Sequence, residues 1–425
     1  MFVNQKNRVA LISVSGDPAA EIGQEEAGGQ NVYVRQVGLA LAQQGWSVDM
    51  FARRISPDQS AIVQHAPNCR TIRLTAGPQK FIGRDTVFNY LPEFVQQFLA
   101  FQKQEGIQYP LVHTNYWLSS WVGMELKKHQ SLVQVHTYHS LGAVKYRSVS
   151  DLPAIASTRL AVEKTCLETV DSVVATSPQE GEHMRKLVST QGTIEMVPCG
   201  TDIERLGSVD RLTARGELGI PEDAKVALYV GRFDRRKGIE TLVRAIASSK
   251  LRGTSDLRLI IGGGARSGES DGIERDRIQS IVKELGIEAI TTFPGRLTES
   301  DLPIYYAAAN VCVVPSHYEP FGLVAIEAMA CRTPVVASKV GGLQFTVVPE
   351  VTGLLVPPKD DAAFAEAIDR ILENPAWGEQ LGETGRQRVE IAMSWDSVAS
   401  WLGCLYEKLI SQNAPVSAKT SQVAA

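Results

Sequence analysis

The stretch Lys225-Val226-Ala227-Leu228-Tyr229-Val230-Gly231-Arg232-Phe233-Asp234-Arg235-Arg236-Lys237-Gly238 decides the fold. Its first six residues are mostly apolar and predict a buried strand, Gly231 ends that strand, and the run IETLVRAIA after Gly238 has helical spacing. A strand that turns through glycine into a helix opens a doubly wound α/β sheet, where ligands bind beyond the carboxyl ends of the strands. The same grammar opens the chain, where RVALISV runs into Gly16. The restart at Lys225 therefore predicts an α/β protein of two doubly wound, Rossmann-like domains. A length of 425 residues points the same way, because one core rarely grows that large.

Outward from this stretch, short β-branched runs alternate with helical patterns, the mark of parallel sheets covered by helices. Strand candidates in the first half are RVALISV, SVDMF, TIRLT, LVHTNY, LVQVHTY, SVVATS and IEMVP; in the second they are KVALYVG, LRLIIGG, ITTFPG, VCVVPS, PVVAS and GLLVP. The polar segment 202–222 is the expected boundary, giving an acceptor-binding domain over 1–205 and a nucleotide-sugar-binding domain over 206–393. The run WDSVASWLGCLYEKLI has helical apolar spacing, and a helix over 394–412 is expected to complete the first domain. The small polar residues of 413–425 read as a disordered tail. If the two domains face each other, both sets of strand-end loops surround one cleft.

Composition excludes several classes. Charged residues make up 21% and the net charge is −4, so the chain as a whole has no nucleic-acid footprint. The N-terminus lacks a secretory apolar region, and no stretch approaches the ~18 apolar residues of a membrane span, so a cytoplasmic protein is expected. Six cysteines (Cys69, Cys166, Cys199, Cys312, Cys331, Cys404) are scattered without a C-x-x-C pair and read as reduced, buried thiols.

Arg232 at a strand end and Lys237 before a helix place two cations beside a helix N-terminus, which suits a diphosphate, although a solvated basic loop has the same composition. A second run, Ser316-His317-Tyr318-Glu319-Pro320-Phe321-Gly322-Leu323, leads into a helix containing Glu327. Its carboxylates suit sugar and ribose hydroxyls, which donate hydrogen bonds. In the first half, Gly28, Gly29 and Gln30 open a helix and expose N–H groups to an anion, or else form a plain helix-entry turn. Tyr116 ends strand LVHTNY, and His139-Ser140-Leu141-Gly142 with Lys145 follows strand LVQVHTY. Lys80 lies after strand TIRLT, with Arg84 close behind.

The GR…K segment and the pair Glu319 and Glu327, eight residues apart, resemble the donor-site signatures of retaining glycosyltransferases of family 4, which have the glycosyltransferase B fold. The resemblance spans nearly the whole chain. It implies that Arg232 and Lys237 hold a diphosphate, that Glu319 contacts sugar hydroxyls, and that Glu327 binds ribose. Phe321, Gly322 and Leu323 would offer backbone N–H groups. Gly263, Phe293, Gly295 and Arg296 lie at strand ends where such enzymes seat the base. Within the family, GGQ, HSLG with Lys145, and Tyr116 are most similar to the sucrose-phosphate-forming branch, which transfers glucose from UDP-glucose to fructose 6-phosphate. On that likeness Gly28, Gly29, Gln30, Lys80, Tyr116, Ser140 and Lys145 shape the acceptor pocket, joined by Arg159 and Glu163, and His139 contacts the transferred sugar.

The chain lacks the long N-terminal extension and phosphatase-like domain of plant members, so its product is expected to be sucrose 6-phosphate, passed to a separate phosphatase. No D-x-D occurs; no metal site and no cofactor are expected, with a divalent cation at most stimulatory. The residues leave open UDP against ADP, free fructose or an inositol phosphate as acceptor, a sugar-nucleotide epimerase on the same fold, and a catalytically dead binding protein.

Overall fold

The computed structural model describes residues 7–20, 28–148, 151–254 and 256–413. The chain forms two compact units, one from Met1–Val197 with Trp395–Ala425, the other from Pro198–Ser394. The division lies upstream of segment 202–222 because that segment folds into the second unit. Its helices Ile203–Leu206 and Arg211–Leu218 are capped by the side chains of Asp202 and Asp210. They bury Leu206 and Ala214 completely. Of the segment 413–425, Asn413 is the last residue of a helix, and 414 onward lies outside the described residues.

Among the described residues the first unit holds eight strands: β1 (Arg8–Ile12), β2 (Ser47–Arg53), β3 (Ile62–Ala66), β4 (Cys69–Leu74), β5 (Leu111–Asn115), β6 (Val133–Thr137), β7 (Ser172–Ala175) and β8 (Ile194–Met196). Their order is β3-β4-β2-β1-β5-β6-β7-β8. Neighbours are parallel except β3, which pairs antiparallel with β4. The second unit has β9 (Lys225–Val230), β10 (Leu257–Gly262), β11 (Thr291–Gly295), β12 (Val311–Val314), β13 (Val335–Ser338) and β14 (Gly353–Val356), in the order β11-β10-β9-β12-β13-β14. All of its neighbouring strands run parallel.

Strand β9 reads as an unbroken apolar run from Val226 to Val230 because helices cover both faces of its sheet; its Val226, Ala227 and Leu228 are wholly buried. Strand order reverses at β1/β5 in one sheet and at β9/β12 in the other. Each reversal splays the following connections to opposite faces and opens a crevice at the carboxyl ends.

The last helix, Trp395–Asn413, packs on the first unit. The Tyr406 hydroxyl lies 2.6 Å from His113 Nδ1, and its ring meets Trp46 edge-on at 5.4 Å. Five cysteines are buried, but Cys404 is exposed, because it falls on the solvent side of this helix while Leu402, Leu405 and Tyr406 face inward. Among the described residues no helix is long and apolar enough to cross a membrane.

Candidate functional site

In the second unit the β9/β12 crevice brings the two sequence signatures together. Lys237 follows β9, Glu319 follows β12, and Lys237 Nζ lies 2.5 Å from Glu319 Oε2. Ser316 Oγ donates to the same oxygen at 3.4 Å. The close approach requires Gly238, whose φ of 67° is left-handed and where a Cβ would stand 2.0 Å from the Pro315 carbonyl oxygen. Asp234 caps the short turn carrying Lys237 and pairs with the exposed Arg236. Arg232 is exposed at the end of β9, where its carbonyl accepts from the buried Tyr229 hydroxyl at 3.0 Å.

Phe321 is buried, and Gly322 at φ 95° starts the helix Leu323–Ala330. That helix directs the partly buried Glu327 at the hydroxyl of wholly buried Tyr306, 2.8 Å away. Burial pushes the Glu327 carboxyl above its usual value, against the pull of this hydrogen bond. Gly263 follows β10 and lies so close to Gly231 that a Cβ would meet its carbonyl oxygen at 2.2 Å. Phe293 stacks with Phe233 at 6.5 Å, and Gly295 at φ 83° turns the chain into the exposed Arg296.

In the first unit, the ends of β1, β5 and β6 gather the residues expected there. Gly28 precedes helix Gly29–Gln43, and Gln30 Nε2 donates to Ser13 Oγ beyond β1 at 3.0 Å. Tyr116 and His139 hold φ of 73° and 59°. Such left-handed values at non-glycine residues persist only where packing imposes them, and they concentrate at functional sites.

Arg159, 2% exposed, organises this region. Its Nε donates to Glu163 at 2.7 Å, Nη1 to the Tyr116 hydroxyl at 3.2 Å, and Nη2 to the carbonyl and hydroxyl oxygens of Ser140 at 2.7 and 3.0 Å. Burial disfavours its charge, but Glu163 and Tyr116 outweigh burial and raise its pKa. Glu163 also accepts from the Gly142 N–H at 2.9 Å, which pins the 139–145 segment. Arg84 and Arg159 both lie near the Tyr116 ring, at 5.2 and 5.1 Å from its centroid. Lys145, on the following turn, adds a favourable charge toward Glu163.

Lys80 is exposed. Its loop is held by Arg53, 3% exposed, which donates to the carbonyls of Pro78 and Lys80 at 2.8 Å each. Sequence reasoning missed Arg53, Tyr306 and Asn115 as supports. Asn115 had a usable signal, its place at a strand end beside Tyr116; Arg53 and Tyr306 are known only from their partners in space.

Two open α/β sheets, parallel but for β3 and each with polar and charged groups at its switch point, are the architecture of the glycosyltransferase B fold. The chain belongs to the glycosyltransferases: residues 27–205 match the Glycosyltransferase Family 4 model and residues 210–388 the Glycosyl transferases group 1 model. A sucrose-phosphate synthase from Thermosynechococcus elongatus superposes with a TM-score of 0.86 at 52% identity, over 96% of this chain and 100% of that one. A D-inositol 3-phosphate glycosyltransferase from Corynebacterium jeikeium is 36% identical over 95% of this chain and 97% of its own length. Anabaena HepE, solved with UDP-glucose, shares the fold at a TM-score of 0.72 and 19% identity, over 94% of this chain and 99% of that one.

Proposed function

We propose that this chain is a sucrose-phosphate synthase, moving glucose from UDP-glucose to the C2 hydroxyl of fructose 6-phosphate with retention of configuration and releasing UDP. The observation that carries this reading is its 52% identity to a sucrose-phosphate synthase along 96% of the chain, against 36% to the inositol-phosphate enzymes. In this reading Arg232 and Lys237 stabilise charge developing on the leaving diphosphate, helped by N–H groups at the start of helix Leu323–Ala330. Electrostatic preorganisation of that kind can be the largest single catalytic contribution. Glu319 and His139 meet the transferred sugar, and Glu327 the ribose. Gln30, Lys80, Arg84, Tyr116, Ser140, Lys145 and Arg159 serve the acceptor and its phosphate. No nucleophilic side chain is assigned.

A second reading, transfer to an inositol phosphate, is favoured by the curated relatives. Both acceptors carry a phosphate, so cations near the acceptor do not separate them. Turnover with UDP-glucose should be measured against fructose 6-phosphate, fructose and inositol 3-phosphate in parallel. Charge-assisted hydrogen bonds at ~1.5–3 kcal/mol each, two to a phosphate, give fructose 6-phosphate an advantage over fructose of on the order of 100-fold or more. Lys80→Ala should raise KM for fructose 6-phosphate and leave KM for UDP-glucose nearly unchanged. Equal kcat/KM for fructose and its phosphate would remove the assignment, and preferential use of inositol 3-phosphate would replace it with the second reading.

A further inference from the structure

Asn115 closes β5 with only 1% of its surface exposed, and its amide has two neighbours. Nδ2 donates to the His113 carbonyl oxygen at 3.2 Å, while Oδ1 lies 2.9 Å from His139 Nε2. A carbonyl oxygen can only accept, so the amide NH2 must face it; turned over, the amide would set two acceptors against each other. Oδ1 therefore faces the imidazole, and it too can only accept. The ring proton must then sit on Nε2, which leaves Nδ1 as a lone-pair acceptor.

We propose that Asn115 is a positioning residue for glycosyl transfer: it holds His139 as the neutral Nε2–H tautomer, so that Nδ1 accepts a hydrogen bond from a hydroxyl of the transferred sugar. This rests on the reading that His139 meets that sugar. The surroundings keep the ring uncharged. Desolvation lowers the His139 pKa to about 3. His113 on β5 and His136 on β6 lie within electrostatic range of the ring, and both are held neutral by burial. From helix Gly29–Gln43, Tyr33 meets the ring edge-on at 4.8 Å, with Trp395 packed against Tyr33 at 5.9 Å. None of these neighbours carries a charge at neutral pH. The Asn115 backbone is also engaged, its carbonyl facing Gln30 Nε2 at 3.5 Å, so one residue ties the helix start to the histidine.

Asn115→Asp keeps the side-chain shape while exchanging the Nδ2–H donor to the His113 carbonyl for an acceptor oxygen. The carboxylate still accepts from Nε2–H, and because the pair is buried its charge should raise the imidazole pKa by ~3 units, from about 3 into the pH range of the assay. Protonation turns Nδ1 from acceptor into donor. Nitrogen-15 NMR of the imidazoles in the intact chain, assigned with His139→Ala, should show the neutral Nε2–H form of His139 in wild type from pH 8 to pH 5. In the Asp variant, titration should enter that window. Relative to its own turnover of UDP-glucose at pH 8, the variant should then lose about tenfold more activity by pH 5 than wild type does.

A side chain that merely supports the fold would lose activity equally at all pH values. A parallel pH profile in the variant overturns the proposal, and so does an Nδ1–H tautomer in wild type. The acceptor is tested separately. If wild type ignores fructose 6-phosphate, the proposed function fails, while the imidazole spectra, and turnover with inositol 3-phosphate, still decide the role of Asn115.

Discussion

An ammonium and a carboxylate 2.5 Å apart orient each other before substrate arrives, and Lys237 and Glu319 do this from loops 82 residues apart in sequence. Lys237→Ala removes a preorganised cation from the proposed diphosphate site. Loss of one such donor costs ~2.7–4 kcal/mol of transition-state stabilisation, so kcat should drop ~100- to 1000-fold. The pair is partly solvent-accessible, so its loss should change stability little and leave circular dichroism as in wild type. Near wild-type kcat in that variant would remove the diphosphate assignment. These two residues were legible in the sequence because both sit where a strand meets a glycine-containing turn before a helix. Arg53 and Tyr306 were not. Their effect depends on which backbone oxygen or carboxylate lies within 3 Å, and one-dimensional spacing carries no such information.

Among the elements, β5 and β6 carry the widest consequences. His113 bonds on both ring nitrogens, to Tyr406 and to Thr137 Oγ1 at 2.6 and 2.8 Å, and burial lowers its pKa to about 3. The folded chain thus refuses a proton that an unfolded histidine accepts near pH 6.5. The folded pKa is depressed, so below ~6.5 the unfolded state binds more protons and stability falls with pH until about the folded pKa. His113 alone should cost about 2 kcal/mol between pH 6.5 and pH 5. Thermal unfolding at pH 7 and pH 5 should show a lower Tm in acid, and His113→Gln should reduce the difference. A Tm independent of pH over that range would count against the buried, neutral assignment. Thirteen strand segments were readable from their short β-branched and apolar runs, which in β9, β12 and β13 are apolar almost throughout because both faces are covered. The strand left unread was β3, IVQHA, whose side chains are exposed or half-buried at the sheet edge. It forms because its backbone pairs with β4, and the pattern of its side chains gives no sign of this.

At the scale of the whole molecule, the second unit is one continuous stretch, whereas the first is built from both ends of the chain. The last helix buries Trp395, Val398, Leu402, Leu405, Tyr406 and Leu409. At ~1.5–3 kcal/mol each, these side chains contribute on the order of 10 kcal/mol, comparable with the entire stability of a typical domain. A chain cut after Ser394 should therefore keep a cooperatively folded second unit and lose the first. Two unfolding transitions in the full chain and one in the truncated chain, followed by calorimetry, are the expected outcome. Two transitions in both would show that the helix is dispensable. The restart at Lys225 made the two halves legible, but the exact division did not follow from it. Segment 202–222 is polar enough to resemble a linker, yet its capped short helices bury just enough apolar surface to join the second unit.

That split first unit matters most while the chain is being made. Residues of β1 through β8 leave the ribosome first, but the helix that covers them is translated only after the whole of the second unit. At ~5–20 residues per second, the intervening residues hold completion back by on the order of 10–40 s. During that interval the second unit, whose segment is contiguous, can finish folding while the nascent N-terminal sheet still has apolar side chains uncovered. Chaperone demand and premature termination should therefore fall on the first half of the chain, although it emerges earliest.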